Sequence, residues 1–183
     1  MKNLILPHLS EFKAFDPADP LEVMAARSGV PKDKIIRLNA NENPYGPSPK
    51  VAEALTSINP QIYPDPQQRR VREALSEFTG FSPNNIVVGA GSDEIIDLLF
   101  RLTIGPEDSI VDCTPTFGMY NFGARLAGAQ YRSVPRDDDF EIDIPATLNA
   151  TDSTTKMIIV NSPNDPCGSV IPEPDLAAIA EIA

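Results

Sequence analysis

The hydrophobic and polar positions of this 183-residue chain change their spacing at about residue 86. Upstream, apolar residues recur at helical spacing in short stretches, as at Val71, Leu75 and Phe78, which fall on one face of a helix. Downstream, short β-rich runs alternate with helical runs, which is typical of an α/β domain with a mostly parallel sheet. The pattern predicts such a domain preceded by an N-terminal arm.

The predicted elements follow these two kinds of spacing. The proline-rich segment 41–49 is expected to form a loop, and Pro49 can open the helix that follows it. The predicted strands lie at 86–89, 109–113, 130–134 and 157–160. The predicted helices lie at 21–26, 50–57, 67–78, 93–104, 117–127 and 145–149, with one more beginning near Pro174. In the helix at 93–104, the residues expected to face inward are Ile95, Ile96, Leu98, Leu99 and Leu102.

Acidic residues outnumber basic residues by 26 to 15, which gives a net charge of −11. Such a surface repels nucleic acid unless it carries a basic stripe, and the nearest candidate, Arg69, Arg70 and Arg72, better fits the solvated face of a helix. No segment is long and apolar enough to span a bilayer. Cys113 and Cys167 are far apart and lack metal-ligand spacing, which favours a reducing cytoplasm. We therefore expect no nucleic acid, membrane or metal as a partner.

The sharpest local signal is IVVGAGSDEIIDLLF at 86–100, where a predicted strand runs into a Gly-Ala-Gly turn and Ser92 opens a helix. Glycines let the backbone approach a ligand closely, and a helix N-terminus offers free N–H groups to a phosphate. The site would lie at the carboxyl edge of the sheet, where α/β proteins bind ligands. An ordinary tight turn, with Ser92 or Asp93 as the helix cap, explains the same residues equally well.

A dinucleotide-binding site is the rival functional interpretation of this segment. Gly89-x-Gly91 after a strand is similar to the start of the dinucleotide fingerprint, and Asp112 follows about 20 residues on, where such folds place the acid that binds the ribose. However, Glu94 stands where the fingerprint has its third glycine, which permits close packing of helix and strand. The fingerprint is therefore broken, and this interpretation ranks second.

Five segments in register carry a resemblance to a known family. In this order and spacing they closely resemble the histidinol-phosphate aminotransferases of the class I/II aminotransferase superfamily, from about Ile36 to the end of the chain. The segments are LNANENPYGPSP (38–49), IYPDP (62–66), GAGSDEIIDLL (89–99), PTFGMY (115–120) and NSPNDPCG (161–168).

The resemblance implies a fold, a division of the chain and a cofactor. The fold would be the three-layer α/β architecture, with a mostly parallel sheet, of the aspartate-aminotransferase-like large domain, incomplete and with an N-terminal arm. Residues 1–48 would form the arm and an active-site loop. Residues 49–183 would form the N-terminal, truncated part of the large domain that binds pyridoxal 5'-phosphate.

The resemblance also implies roles for residues around that cofactor. The backbone of Gly91, Ser92 and Asp93 would cradle the phosphate group. Phe117 would stack on the pyridine ring, since a flat apolar face fixes the plane of the ring, although without the resemblance it better fits a core aromatic. Tyr63 would reach the phosphate of the neighbouring subunit, which implies a homodimer with shared sites.

The segment NSPNDPCG departs from the family loop, which reads NPNNPTG or SPNNPDG. The family asparagine before the second proline donates to the phenolic oxygen of the cofactor, but here Asp165 stands there, and an ionised carboxylate only accepts. Protonation of Asp165, substitution by neighbouring Asn164 and an impaired site remain open. Asn43 and Tyr45 match substrate-contacting positions at the mouth of the site, although turn formers around them explain the same segment.

The implied activity is the transfer of an amino group between histidinol phosphate and 2-oxoglutarate in histidine biosynthesis. Threonine-phosphate decarboxylases and other amino-acid aminotransferases share these motifs. A dinucleotide-binding oxidoreductase domain and a non-catalytic remnant are the alternatives from other classes. In the family the Schiff-base lysine follows the loop at 161–168, whereas no lysine follows Gly168 here. We therefore assign no catalytic residue and expect this fragment to be inactive by itself.

Overall fold

The chain divides into two compact units, and the larger unit is built from two separate stretches of sequence. The computed structural model describes residues 4–14 and 17–182. The smaller unit is Ala14–Gln68, and the larger unit joins Met1–Lys13 to Arg69–Ala183. The boundary lies upstream of the change in hydrophobic spacing.

Among its described residues the smaller unit has two α-helices whose ends follow from local sequence. α1 (Leu21–Ser28) ends at Gly29, whose φ of +70° lies in the left-handed region that glycine adopts without strain. α2 (Pro49–Thr56) begins at Pro49, as predicted, and the Ser48 hydroxyl caps it by accepting a hydrogen bond from the Lys50 N–H. The predicted loop at 41–49 precedes this helix.

In the larger unit, α3 (Arg69–Thr79) is followed by α4 (Ser92–Thr103) and by the sheet. Among the described residues the sheet has three strands: β1 (Ser109–Thr114), β2 (Gln130–Pro135) and β3 (Thr155–Ile159). β1 lies between the other two and pairs in parallel with both, so the carboxyl ends of all three meet at one edge. Parallel neighbours need crossover connections, which the helices between the strands supply.

The register of the sheet fixes which side chains share a face. Ile110 lies opposite Tyr131 of β2. Because alternate residues of a strand point to opposite faces, Ile110 and Asp112 share one face, and Val111 and Cys113 share the other. These four residues of β1 are each at most 1% exposed, as expected for a central strand with both faces covered.

One face of the sheet is covered by α4 and by α5 (Met119–Ala127), which also pack against each other. The approach of the two helices requires Gly123, because a methyl group at that position would lie 2.4 Å from two ring carbons of Phe100. The buried core on this face consists of Phe100, Ile104, Ile110 and Ala124.

The opposite face is covered by α6 (Ile144–Asn149), which contacts both β1 and α7 (Glu173–Ala180). The Thr147 hydroxyl oxygen lies 3.4 Å from the Cys113 sulfur, where the helix meets the strand. Helices on both faces of a parallel sheet make a three-layer α/β fold, and the predicted fold class is confirmed.

The N-terminal segment packs against the end of α5. Phe12 meets Phe122 edge-on, with ring centroids 5.0 Å apart, and the guanidinium carbon of Arg125 lies 5.3 Å from the Phe12 centroid. His8 Nε2 lies 3.2 Å from the carbonyl oxygen of Leu126. Aromatic pairs and cation–π contacts each contribute about 1 kcal/mol, so this segment is fixed to the larger unit.

Two predictions about side-chain and backbone arrangement were wrong. Residues 86–89 do not form a strand in the described part of the chain: Ile86 is extended, but no strand pairs with it, and Val87 is 77% exposed. A strand needs a partner that completes its hydrogen-bond ladder. In α4, Leu98, Leu99 and Leu102 are 42%, 47% and 80% exposed, because the apolar stripe is wider than the surface that α5 and the sheet cover. The remaining boundaries agree with prediction to within two residues.

Candidate functional site

The loops after β1 and β3 come together at the carboxyl edge of the sheet. Residues 115–118 lead from β1 to α5, and residues 160–172 lead from β3 to α7. A hydrogen bond between Thr116 and Asn164 joins the two loops directly. This is the edge at which open α/β sheets place their ligand sites.

Gly91 forms the turn before α4 in a conformation that other residues avoid. Its φ of +87° and ψ of 173° lie in a region that is essentially restricted to glycine. A Cβ atom there would meet no heavy atom within 4 Å, so open space lies beside the backbone. No side chain of the described residues caps α4 at this residue, which leaves N–H groups of the first turn available to an anion.

The side chain of Glu94 folds back over the glycine turn. Its Oε2 accepts a hydrogen bond from the Ala90 N–H at 2.5 Å, and a Cβ atom on Gly89 would lie 2.9 Å from that oxygen. Gly89 therefore provides the space that the carboxylate occupies. The dinucleotide fingerprint needs a glycine where Glu94 stands, so this turn does not have the geometry of the fingerprint.

Phe117 and Tyr120 form an aromatic pair at the start of α5. Their ring centroids are 5.7 Å apart and their planes lie at 82°. Both side chains are half-buried. This edge-to-face contact restrains the plane of Phe117, as stacking a flat ligand on that ring requires.

The Tyr120 hydroxyl lies in the field of three carboxylates. Desolvation raises the pKa of Tyr120, and the charges of Asp112, Asp165 and Asp93 raise it further. These acids belong to β1, to the loop after β3 and to the first turn of α4. Three separate segments thus converge on one phenol, which stays protonated and can donate a hydrogen bond at neutral pH.

Asn164 anchors the loop after β3. The residue is only 3% exposed. Its Oδ1 accepts a hydrogen bond from Thr116 Oγ1 at 2.9 Å, and its Nδ2 donates to the Pro115 carbonyl oxygen and to the Cys167 sulfur, each at 2.9 Å. Both amide hydrogens are therefore directed at acceptors within the protein. The next residue, Asp165, is half-buried.

Arg136, directly after β2, ties the same loop to the end of the sheet. Its Nε donates to the Cys113 carbonyl oxygen at 3.1 Å, and its Nη1 donates to the Phe140 carbonyl oxygen at 3.0 Å and to the Ser169 hydroxyl at 3.2 Å. Its backbone N–H donates to the Thr114 carbonyl oxygen at 2.7 Å. One side chain thus holds three backbone segments in place.

Asp112 is a buried acid beneath the site. It is 1% exposed, and its Oδ2 accepts a hydrogen bond from the Tyr131 hydroxyl at 2.8 Å. Desolvation raises the pKa of Asp112 to about 6, against opposing hydrogen bonds from Tyr131 and the Cys113 backbone and the charge of Arg136. A carboxylate enclosed in this way is not open to a ribose, which disfavours the dinucleotide interpretation.

Cys167 is a half-buried thiol in the loop after β3. Hydrogen bonds from Ser169 and Asn164, with the charge of Arg136, lower the pKa of Cys167 to about 7. The thiol is therefore partly ionised near neutral pH.

Asn43, Tyr45 and Tyr63 belong to the smaller unit. Asn43 stabilises a turn, because its Nδ2 donates to the Gly46 carbonyl oxygen and its Oδ1 accepts from the Tyr45 N–H, both at 3.0 Å. The side chains of Tyr45 and Tyr63 are 94% and 95% exposed. The turn chemistry expected for this segment is present, and both phenols face solvent.

Sequence reasoning missed several residues that build the site. Thr116 and Tyr120 lie inside the segment PTFGMY, so that motif is the sequence signal for both. Arg136 and Ser169 carry no comparable signal, since their contact joins positions 33 residues apart.

Neither a membrane-spanning helix nor a metal cluster occurs among residues 4–14 and 17–182. No helix in this part of the chain has the length and hydropathy needed to cross a bilayer. Nor does it contain three or more His, Cys, Asp or Glu side chains grouped to hold a metal ion.

The fold and the site have counterparts in proteins of known class. The family profile for aminotransferases of class I and II matches residues 33–183. The solved structure of histidinol-phosphate aminotransferase from Sinorhizobium meliloti, in complex with pyridoxal-5'-phosphate, superposes with a TM-score of 0.82. It is 26% identical, and the match covers 97% of this chain and 47% of that chain. The chain belongs to the class I and II aminotransferase family.

Within this family, the curated relatives that the chain resembles include histidinol-phosphate aminotransferases. The chloroplastic histidinol-phosphate aminotransferase 1 of Arabidopsis thaliana is 44% identical over 182 residues, which are 98% of this chain and 44% of the relative. The histidinol-phosphate aminotransferase of Roseiflexus castenholzii is 42% identical over 174 residues, 91% of this chain and 47% of the relative. These matches confirm the resemblance seen in the five segments. The chain spans about half the length of the curated relatives it matches.

Proposed function

We propose that this protein is a pyridoxal-phosphate-dependent aminotransferase that transfers an amino group between histidinol phosphate and 2-oxoglutarate. The observation that carries the proposal is geometric: a hydrogen bond of 2.9 Å between Thr116 and Asn164 joins the loop after β1 to the loop after β3, and α5, which continues the first of these loops, packs against α4. These segments hold the residues that a phosphorylated, planar cofactor requires: a phosphate cradle, an aromatic face and a polar loop.

The residues at this edge of the sheet suit pyridoxal 5'-phosphate. Gly91 leaves open space beside the uncapped N-terminus of α4, which favours a phosphate group. Phe117, held edge-on by Tyr120, offers a flat apolar face to a planar ring. Asp93 adds a negative charge in the first turn, so the phosphate must be bound through backbone N–H groups and the helix dipole.

When bound, the cofactor supplies an electron sink for reactions at the α-carbon of an amino acid. In this scheme the N–H groups of Gly91, Ser92 and Asp93 bind and orient the phosphate. Phe117 covers one face of the ring and excludes water from it. We assign no covalent or proton-transfer role within this chain, and Lys156, the lysine that precedes the loop at 161–168, is exposed in β3.

We place Asp165 at the phenolic oxygen of the cofactor. Asn164 directs its amide hydrogens at Pro115 and Cys167, so its contribution to cofactor binding is to hold the loop. An ionised carboxylate cannot supply the donor that an asparagine supplies at this position. The site should therefore bind the cofactor less tightly than its Asp165→Asn variant.

The substrate and subunit contacts come from the smaller unit. Asn43 and Tyr45 would contact the substrate, and Tyr63 would reach the cofactor phosphate of a second subunit in a homodimer. The 95% exposure of Tyr63 supports a role outside its own unit. Residues 1–48 would then form the arm and active-site loop, and residues 49–183 part of the large domain. The curated relatives support histidinol phosphate as the amino donor.

A cytoplasmic location is part of the proposal, because Cys113 and Cys167 are both free thiols, as expected in a reducing compartment. The partners would be the amino-alcohol phosphate, the 2-oxo acid and a second copy of the chain. The net charge of −11 argues against nucleic acid as a partner.

A spectral titration of the full-length protein with pyridoxal phosphate tests the proposal. We expect a band near visible wavelengths on binding, its loss when histidinol phosphate is added, and its recovery with 2-oxoglutarate. Release of carbon dioxide from threonine phosphate, without amino transfer, would show that the protein is a threonine-phosphate decarboxylase and not a histidinol-phosphate aminotransferase. Absence of any band, with nicotinamide-dependent fluorescence instead, would overturn the cofactor assignment.

A further inference from the structure

One side-chain hydrogen bond joins the two loops that carry the proposed ring contacts. Thr116 immediately precedes Phe117 in the loop after β1, and Asn164 immediately precedes Asp165 in the loop after β3. Thr116 Oγ1 donates to Asn164 Oδ1 at 2.9 Å, across 48 positions of sequence. The bond therefore couples the position of the aromatic face to the position of the carboxylate.

We propose that Thr116, acting through Asn164, is a positioning residue for the cofactor site. The inference rests on the proposed function, because it assigns Phe117 and Asp165 to the same bound cofactor. In this scheme Thr116 does not touch the cofactor. Its hydroxyl sets the separation between the residue that stacks on the ring and the residue at the phenolic oxygen.

Asn164 is held firmly enough to transmit this coupling. Its side chain is 3% exposed and is hydrogen-bonded at both its oxygen and its nitrogen. Its backbone N–H donates to the Ser169 carbonyl oxygen at 2.8 Å, and its carbonyl oxygen accepts from the Gly168 N–H at 2.6 Å. A shift of Asn164 must therefore move the whole loop, including Asp165.

Thr114, the last residue of β1, provides a matched control for Thr116. Its hydroxyl oxygen lies 2.6 Å from that of Ser133 in β2, so this contact joins two strands that the sheet already holds together. Thr114→Val and Thr116→Val remove the same group two residues apart. Only the second substitution breaks a contact between the two loops.

Loss of the Thr116 hydroxyl should have a measurable but limited effect. Thr116→Val leaves Asn164 Oδ1 without this donor, and a hydrogen bond of this kind changes an equilibrium constant by about 3- to 10-fold. We expect cofactor affinity to fall by about that factor. The circular dichroism of the bound cofactor, which reports its fixed orientation, should fall with it. Thr116→Ser keeps the donor and should restore both.

The experiment combines two measurements on the full-length protein. Hydrogen exchange of residues 161–169 in the cofactor-free protein should accelerate in Thr116→Val but not in Thr114→Val. A pyridoxal-phosphate titration, read by affinity and circular dichroism, should follow the same pattern. If the valine variant does not fold, Thr116→Ala removes the same donor with less bulk.

Three results would overturn the inference. Unchanged exchange in Thr116→Val would mean that the hydroxyl does not hold the loop. Faster exchange with unchanged affinity and dichroism would make the contact purely structural. Failure of the unsubstituted protein to bind pyridoxal phosphate would refute the proposed function and the inference with it, and this outcome is distinguished because it appears before any substitution.

Discussion

Replacing Asp112 by asparagine should remove a loss of stability that grows with pH. Burial raises the pKa of this acid from its ordinary 3.8 to about 6, so the folded protein binds the proton more tightly than the unfolded chain. The stabilising effect of the bound proton is therefore complete below about pH 3.8 and is lost as the pH rises to about 6. Above that pH the buried carboxylate destabilises the fold by a constant amount.

The magnitude follows from the two pKa values. A rise from 3.8 to about 6 corresponds to about 3 kcal/mol, at 1.36 kcal/mol per pH unit. The amide oxygen of an asparagine can still accept a hydrogen bond from the Tyr131 hydroxyl, whose oxygen lies 2.8 Å from Asp112 Oδ2. Asp112→Asn should thus be about 3 kcal/mol more stable than the original at pH 8, and about half as much at pH 5.

Urea unfolding at pH 5 and pH 8 measures this difference. Far-UV circular dichroism is the appropriate signal, because the sequence contains no tryptophan. Asp138→Asn is the matched control, since it removes the same charge from an exposed position. Destabilisation of Asp112→Asn at pH 8, or an advantage that does not grow between pH 5 and pH 8, would refute the assignment of a raised pKa to this acid.

Three further substitutions have expected outcomes. Gly91→Val should abolish phosphate-dependent cofactor binding with little loss of helix content, because valine cannot adopt a φ of +87° without strain; titration and circular dichroism measure the two effects. Asp165→Asn should tighten cofactor binding about tenfold or more in the same titration, since a hydrogen bond to a charged oxygen is worth about 1.5–3 kcal/mol. Gly123→Ala should lower the free energy of unfolding by about 1–3 kcal/mol in urea, because its methyl group would lie 2.4 Å from the Phe100 ring.

Each substitution has a control or a contrary result. Gly80→Val introduces valine at a similar φ of +80° with open space around it, so it should leave cofactor binding intact. If Gly91→Val binds the cofactor as tightly as the original protein, the phosphate does not bind at the turn before α4. An unchanged affinity in Asp165→Asn would mean that another group holds the phenolic oxygen. Asn121→Ala lies at an exposed position of the same helix as Gly123 and should be neutral or slightly stabilising. Equal stability of the two alanine variants would mean that the Phe100 ring moves to accommodate the added methyl group without loss of stability.

The strands that the sequence predicted correctly are those that pair within the chain. Runs such as Ser109–Thr114 combine β-branched residues with flanking turn signals, and they find parallel neighbours at Gln130–Pro135 and Thr155–Ile159. The run at 86–89 has the same local character but is not part of a strand among the described residues. Local preference predicts extended backbone, whereas a strand is a property of two segments, which one-dimensional spacing does not contain.

The residues of the candidate site also differ in whether local sequence or the assembled fold reveals them. Gly91 and Phe117 can be selected as candidates from the sequence, because a glycine turn and the motif PTFGMY are local features, and their roles stay predictions. The burial of Asp112 reversed its interpretation, since a sequence position alone does not distinguish an exposed acid from one enclosed beneath Tyr131. The bond between Thr116 and Asn164 joins two loops, and only the assembled sheet edge brings them together.

Arg136 anchors its loop through acceptors that carry no charge, two carbonyl oxygens and the Ser169 hydroxyl. Added electrolyte screens attraction between charges much more than it affects such dipolar contacts. The exposed ion pair between Arg27 and Asp19, with an N–O distance of 2.7 Å, should weaken in concentrated salt. The loop after β3 should keep its place under the same conditions, so high ionic strength can be used to purify or crystallise the protein without loosening this edge of the sheet.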